Sequence, residues 1–213
     1  MFRFSIFGIQ VEVQPWFWLT MILLGSNFGS NMQGTPAEIL GIALFVIAGF
    51  TSILIHELGH ALTARSYGTQ PYIVLQAFGG YAAYPAGVMT RWQSFLITAA
   101  GPAAQLFLAL VAFVAKNRLE VYMNENILSF FNDLIWVSVL WAVLNLVPVV
   151  PLDGGQMLAA IMGPKRIKIT LWVSVVAGVF FGIGLYLWLE LIFFPLFMGM
   201  LAWQSFQLLR QQR

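Results

Sequence analysis

Two histidines and a glutamate fall within five residues, His56-Glu57-Leu58-Gly59-His60, in a stretch that is otherwise apolar. On a helix, residues four apart share one face, so both imidazoles can reach a single metal ion. Two His and one carboxylate form a common catalytic zinc set that keeps a fourth position for water. Glu57 then stands beside that water as general base and proton shuttle rather than as a ligand. Five-residue motifs of this kind do arise by chance in soluble chains. Inside an apolar span the balance changes, because burying ionisable groups there is costly and such groups are functional by default. His56 and His60 are also the chain's only histidines.

The elements that must position these groups are those of a membrane protein. The chain has 213 residues, of which 60% are hydrophobic and 8% charged, with a mean hydropathy of +0.84. Soluble domains carry roughly a quarter charged residues. Several apolar runs approach the roughly 20 residues that cross a hydrocarbon core as a helix. Without cysteine, disulfides, thiolate metal sites and cysteine nucleophiles are excluded. Ten basic against eight acidic groups are too few to argue for nucleic acid. The start alternates rather than forming a charged end followed by a long apolar core, lacks a clear small-residue cleavage site, and reads as mature protein rather than a signal peptide.

The fold class expected is an all-α polytopic membrane protein with about six transmembrane helices, a short N-terminal β-hairpin and a re-entrant β segment near the active site. Alternation over residues 2–13 predicts the hairpin. Pro15 opens a first helix through "WFWLTMILLG", and "SNFGSNMQGTP" reads as a polar turn. Longer helices are expected at about 37–66, 91–116, 127–147, 167–188 and 191–209. Residues 70–84, "QPYIVLQAFGGYAAY", are rich in β-formers and too short to span. The tryptophans and phenylalanines are read as lipid-facing or interfacial. No repeat or appended PDZ or CBS domain is visible, so 1–213 reads as one domain.

Six spans make orientation countable. With the N-terminus inside, Arg3, Arg65, Arg91, Lys165, Arg166, Lys168, Arg210 and Arg213 are cytoplasmic, and only Lys116 and Arg118 fall outside. Both termini are then cytoplasmic, and His56 and His60 lie in the cytoplasmic half of their helix. No histidine remains to supply a third ligand. Glu38, Glu120, Glu125, Asp133 and Glu190 fall toward the outer side, and Glu12 lies in the surface hairpin. Asp153 remains, in "PLDGG", where two prolines break the fourth helix at the matching depth. Broken backbone at membrane depth is tolerated only where protein or a cavity surrounds it.

On "HELGH" at 56–60 and "NLVPVVPLDGG" at 145–155, with "AAGPAAQ" at 99–105 and the "FGG" loop in support, the chain resembles the site-2 protease family of intramembrane zinc metalloproteases. The resemblance covers most of the chain. It implies that His56, His60 and Asp153 hold Zn2+, that Glu57 is the catalytic acid/base and that Asn145 faces the substrate or transition state. For Asn145, an interhelical hydrogen bond or a cap before the break is an equally physical role. Gln105 departs from the asparagine that many relatives carry and is assigned no catalytic role.

The function expected is hydrolysis of peptide bonds in or near transmembrane segments of membrane-tethered regulatory proteins, close to the cytoplasmic face. Its partners are a transmembrane protein substrate, membrane lipid and a regulatory membrane protein, with no nucleic acid. A bacterial or archaeal cell membrane is the expected location. Segment 70–84 either holds an unwound substrate by adding a strand or is a structural hairpin. A prenyl-protein endopeptidase would need a further histidine after His60. A non-proteolytic metal-binding transporter or scaffold is the remaining alternative, although transport favours paired broken helices and only one is visible.

Overall fold

Residues 2–13 form the hairpin that their alternation predicts. Strand β1 (Phe2–Ile6) pairs antiparallel with β2 (Ile9–Val13). The two linking residues, Phe7 and Gly8, have φ of 51° and 75°; a two-residue hairpin with positive φ at both positions matches the twist of its strands. The computed structural model describes residues 1–26, 34–77, 79–85, 89–190 and 192–211. Most of the polar turn expected at 26–36, and Phe78 of the "FGG" loop, lie outside the described residues.

Helix α1 (Pro15–Gly25) and helix α2 (Pro36–Ser66) follow the hairpin. Thr35 starts α2 with a capping box, its side chain accepting the Glu38 N–H while its own N–H donates to the Glu38 carboxylate. Strands β3 (Tyr72–Gln76) and β4 (Gly79–Ala83) come next. The two β segments belong to one four-stranded sheet of order β1-β2-β3-β4, in which β2 and β3 run parallel. Ile9, Val11, Val13, Ile73 and Leu75 alternate onto one face and bury against Phe17 and Met21 of α1 and Ile53, Leu54, Leu58 and Ala61 of α2. Phe17, expected at the lipid face, is fully buried. Its ring lies edge-on to Trp18 and Phe50.

Helices α3 (Arg91–Leu119), α4 (Glu125–Leu146), α5 (Asp153–Met162), α6 (Ile167–Leu189) and α7 (Phe193–Gln211) complete the chain. Pro102 lies inside α3 without ending it. Among the described residues four helices, α2, α3, α4 and α6, are long and apolar enough to cross a membrane. The 11 residues of α1 reach about 16 Å at 1.5 Å each, about half a hydrocarbon core.

The chain divides into two compact units, residues 1–87 with 103–142 and residues 88–102 with 143–213. In the first, α2, α3 and α4 meet through Ala48, Ala112 and Leu134. In the second, small residues bring α6 and α7 together: a methyl group on Gly178 would lie 2.9 Å from Ala202 Cβ and one on Gly182 3.2 Å from Met198 Cβ. Close approach of this kind substitutes for a hydrophobic driving force where lipid is the solvent. The break between α4 and α5 is satisfied from the same helices. The Val150 N–H donates to Ser174 Oγ at 3.1 Å, and Ser205 Oγ donates to the Val150 carbonyl at 3.2 Å.

Candidate metal centre

Helix α2 presents His56, Glu57 and His60 to the interior of the first unit, at 4%, 4% and 8% exposure. The spacing of four places the imidazoles edge to face, with ring centroids 4.7 Å apart. Their Nε2 atoms face each other at 3.0 Å. Two ring nitrogens so placed must share a proton or a cation, since two bare lone pairs repel. Tetrahedral bonds of 2.0–2.1 Å from one zinc ion would separate them by about 3.3 Å. The histidine pair therefore fits such an ion.

The other ring nitrogen of His56 is also engaged. His56 Nδ1 lies 3.0 Å from Gln105 Oε1, and Gln105 Nε2 donates to Ser52 Oγ at 2.8 Å. Ser52 Oγ in turn lies 2.8 Å from Ser138 Oγ. Gln105, Ser52 and Ser138 have no exposed surface. The chain of hydrogen bonds thus links α2, α3 and α4 through groups that would each be costly to bury alone. Sequence reasoning passed over Gln105 because it departs from the asparagine of similar sequences. The signal that singled out the histidines applied to it as well: a large polar side chain in the middle of the apolar run 97–115 needs a buried partner.

Glu57 packs against strand β4. A Cβ built on Gly80 would stand 2.8 Å from Glu57 Cγ and 2.9 Å from Glu57 Oε1. The second glycine of "FGG" is therefore a close-approach position, where the strand backbone passes directly over the carboxylate side chain. The sheet thus reaches the HExxH face of α2 through its edge strand.

In the second unit, Asp153 is the first residue of α5 and is 8% exposed. The two glycines after it are dictated by contact, not by φ. A Cβ on Gly154 would lie 2.1 Å from the Leu146 carbonyl oxygen, and one on Gly155 2.4 Å from the Val149 carbonyl carbon. The start of α5 is pressed onto the backbone of the 146–150 break, and this fixes the backbone that carries Asp153. Asn145 stands in the last turn of α4, half-buried, with no side-chain hydrogen bond among the described residues.

The sequence model of peptidase family M50 matches residues 44–120 and 117–185. A protein assigned as a zinc metalloprotease in Synechocystis is 32% identical over 166 residues, 74% of this chain and 43% of its own length. A zinc metalloprotease of Methanocaldococcus jannaschii is 28% identical over 164 residues, 76% of this chain and 45% of its own. The chain thus spans under half the length of these two relatives. The solved site-2 protease from Methanocaldococcus jannaschii superimposes with a TM-score of 0.67 at 25% identity, covering 96% of this chain and 94% of that one.

Proposed function

Because the chain belongs to peptidase family M50, we propose that it is an intramembrane zinc endopeptidase of the site-2 protease type. The observation that carries this reading is the buried His56–His60 pair with Nε2 atoms 3.0 Å apart and Glu57 one residue along the same helix. In this reading His56 and His60 hold zinc through Nε2, and Asp153 is the third ligand, a buried carboxylate that completes a common catalytic donor set. Zinc, when held there, would supply Lewis acidity for the attack of water on the scissile carbonyl. Glu57 would act as the base that takes the proton of the attacking water and returns it to the departing amine. The apolar walls of α2 around the motif exclude bulk water and strengthen these electrostatic interactions.

The substrate proposed is a transmembrane segment of a membrane-tethered regulatory protein, cut near the cytoplasmic face. Peptide bonds in a helix are shielded by their own hydrogen bonds, so the segment must unwind before attack. The terminal strand β4 passes over Glu57, which supports a role for 70–84 in holding the unwound stretch as an added strand. Asn145 is proposed to face that stretch. The four long apolar helices support a multi-pass protein in contact with lipid. Both termini on the cytoplasmic side, as about six crossings would place them, agree with the distribution of basic residues. A bacterial or archaeal membrane agrees with the organisms of the relatives. Residues 1–213 acting as one protease domain, with a regulatory membrane protein as further partner, complete the proposal.

The test is a pair of variants assayed for bound zinc and for cleavage of a transmembrane substrate in proteoliposomes. Glu57→Gln is expected to keep zinc and lose proteolysis, and His56→Ala to lose both. A fully active Glu57→Gln protein would overturn the mechanism. Stoichiometric zinc in the wild-type chain without cleavage of any membrane protein would favour the transporter or scaffold.

A further inference from the structure

We propose that Gln105 is a positioning residue: through a buried chain running to Ser52 and Ser138, it fixes the tautomer and ring orientation of His56. The inference rests on the zinc reading above and concerns a residue that the HExxH and LDG motifs do not include.

Neutral imidazole carries its proton on one nitrogen only, and a metal-binding nitrogen must be the other. The Gln105 carbonyl oxygen is a pure acceptor, so the His56 nitrogen at 3.0 Å from it, Nδ1, is the protonated one. That leaves the Nε2 lone pair directed at His60. Turned over, the carboxamide would present its NH2 group to Nδ1 and force the proton onto Nε2, where it would block coordination. That rotation would have to break the Ser52 bond together with the His56 bond. Gln105 Nε2 donates to Ser52 Oγ at 2.8 Å, and Ser52 Oγ shares a second hydrogen bond with Ser138 Oγ at 2.8 Å. Ser52 and His56 are one turn apart on α2, so the amide bridges two points of the same helix face and is held at both ends. Because all three partners are fully buried, no water competes for these bonds. An amide orients the ring without adding a charge beside the metal, whereas a carboxylate there would increase ligand basicity.

The experiment uses the full chain in detergent, first free of metal and then titrated with zinc against a chromophoric chelator. With only two histidines in the sequence, 15N-histidine labelling gives two rings, which a His60→Asn variant assigns. The expected result is an Nδ1-protonated His56 in the metal-free protein. Zinc affinity is expected to fall about 10- to 100-fold in Gln105→Met, which keeps side-chain length but neither hydrogen bond. Gln105→Glu, which keeps the acceptor, should stay within a few-fold of wild type. An Nε2-protonated His56, an unchanged affinity in Gln105→Met, or an equal loss in Gln105→Glu and Gln105→Met would overturn the inference. Wild-type protein that binds no zinc would instead overturn the protease reading, and the tautomer of the metal-free ring would still decide the role of Gln105.

Discussion

Replacing Gly80 by alanine separates the proposed general base, Glu57, from the proposed metal site. The backbone of Gly80 does not have the positive φ that an alanine would resist, so the perturbation is one methyl group and nothing else. That methyl would lie 2.8 Å from Glu57 Cγ, 2.8 Å from Leu75 Cδ2 and 2.9 Å from Glu57 Oε1. Carbon atoms in contact sit about 3.5–4.0 Å apart, so about 0.7 Å or more must be recovered by moving a side chain or the strand. Leu75 is fully buried in the sheet core and cannot retreat freely. Glu57, met at Cγ as well as at Oε1, takes up much of the displacement.

Overpacking of this kind costs about 1–3 kcal/mol of stability. Its catalytic effect is larger, because misplacing a reacting group by about 1 Å costs on the order of 10²-fold in rate. The expected outcome is a kcat reduced on the order of 10²-fold, with zinc stoichiometry unchanged. Cleavage of a transmembrane substrate in proteoliposomes and elemental analysis of the same preparation read the two quantities. Gly41→Ala, where nothing lies within 4 Å of the added methyl, is the control on the same helix as Glu57. A Gly80→Ala enzyme with wild-type kcat, or one whose activity falls only in proportion to lost zinc, would refute the placement of Glu57 under β4.

Gly154→Ala should prevent folding of the second unit, since its methyl would lie 2.1 Å from the Leu146 carbonyl oxygen; monodisperse, zinc-loaded variant protein on size exclusion would contradict this. Ser174→Ala leaves the Val150 N–H without its acceptor and should cost about 1–3 kcal/mol, read as a lowered thermal midpoint. Ser205→Ala should cost less, because a carbonyl with one donor removed tolerates the loss better than an amide; the reverse order would contradict the assignment. Thr35→Ala removes the α2 capping box and should cost about 1 kcal/mol in thermal unfolding, with kcat preserved because the cap lies about six turns from His56.

The candidate site was legible because its residue types are ones a membrane span does not otherwise tolerate. His56, Glu57 and His60 stood out against an apolar helix, and the prolines before Asp153 marked the break that carries it. The helices were legible for a related reason: their apolar length exceeds anything a water-soluble surface would show, and their ends fall within a few residues of the predicted positions. The sheet was only half legible. Alternation gives strands but not partners, and the parallel β2–β3 pairing joins segments separated by the whole of α2. The crossing number rested on apolar character alone, which does not distinguish the 11-residue α1 from a full span.

Gln105 and Gly80 show what the motifs leave out. Neither has a chemistry of its own, and each acts by where it lies against a residue that has. Gln105 meets His56 from α3, 49 residues away in sequence, and Gly80 admits Glu57 only because it has no side chain. A metal-site motif therefore specifies donors on one helix, while their tautomer and depth are set by elements that the motif does not contain. The same reasoning makes the glycines after Asp153 part of the proposed site: a side chain at either would push α5 off the broken backbone and carry Asp153 with it. In a fold whose helices gain little from hydrophobic burial against one another, such close contacts are what hold a catalytic group in position.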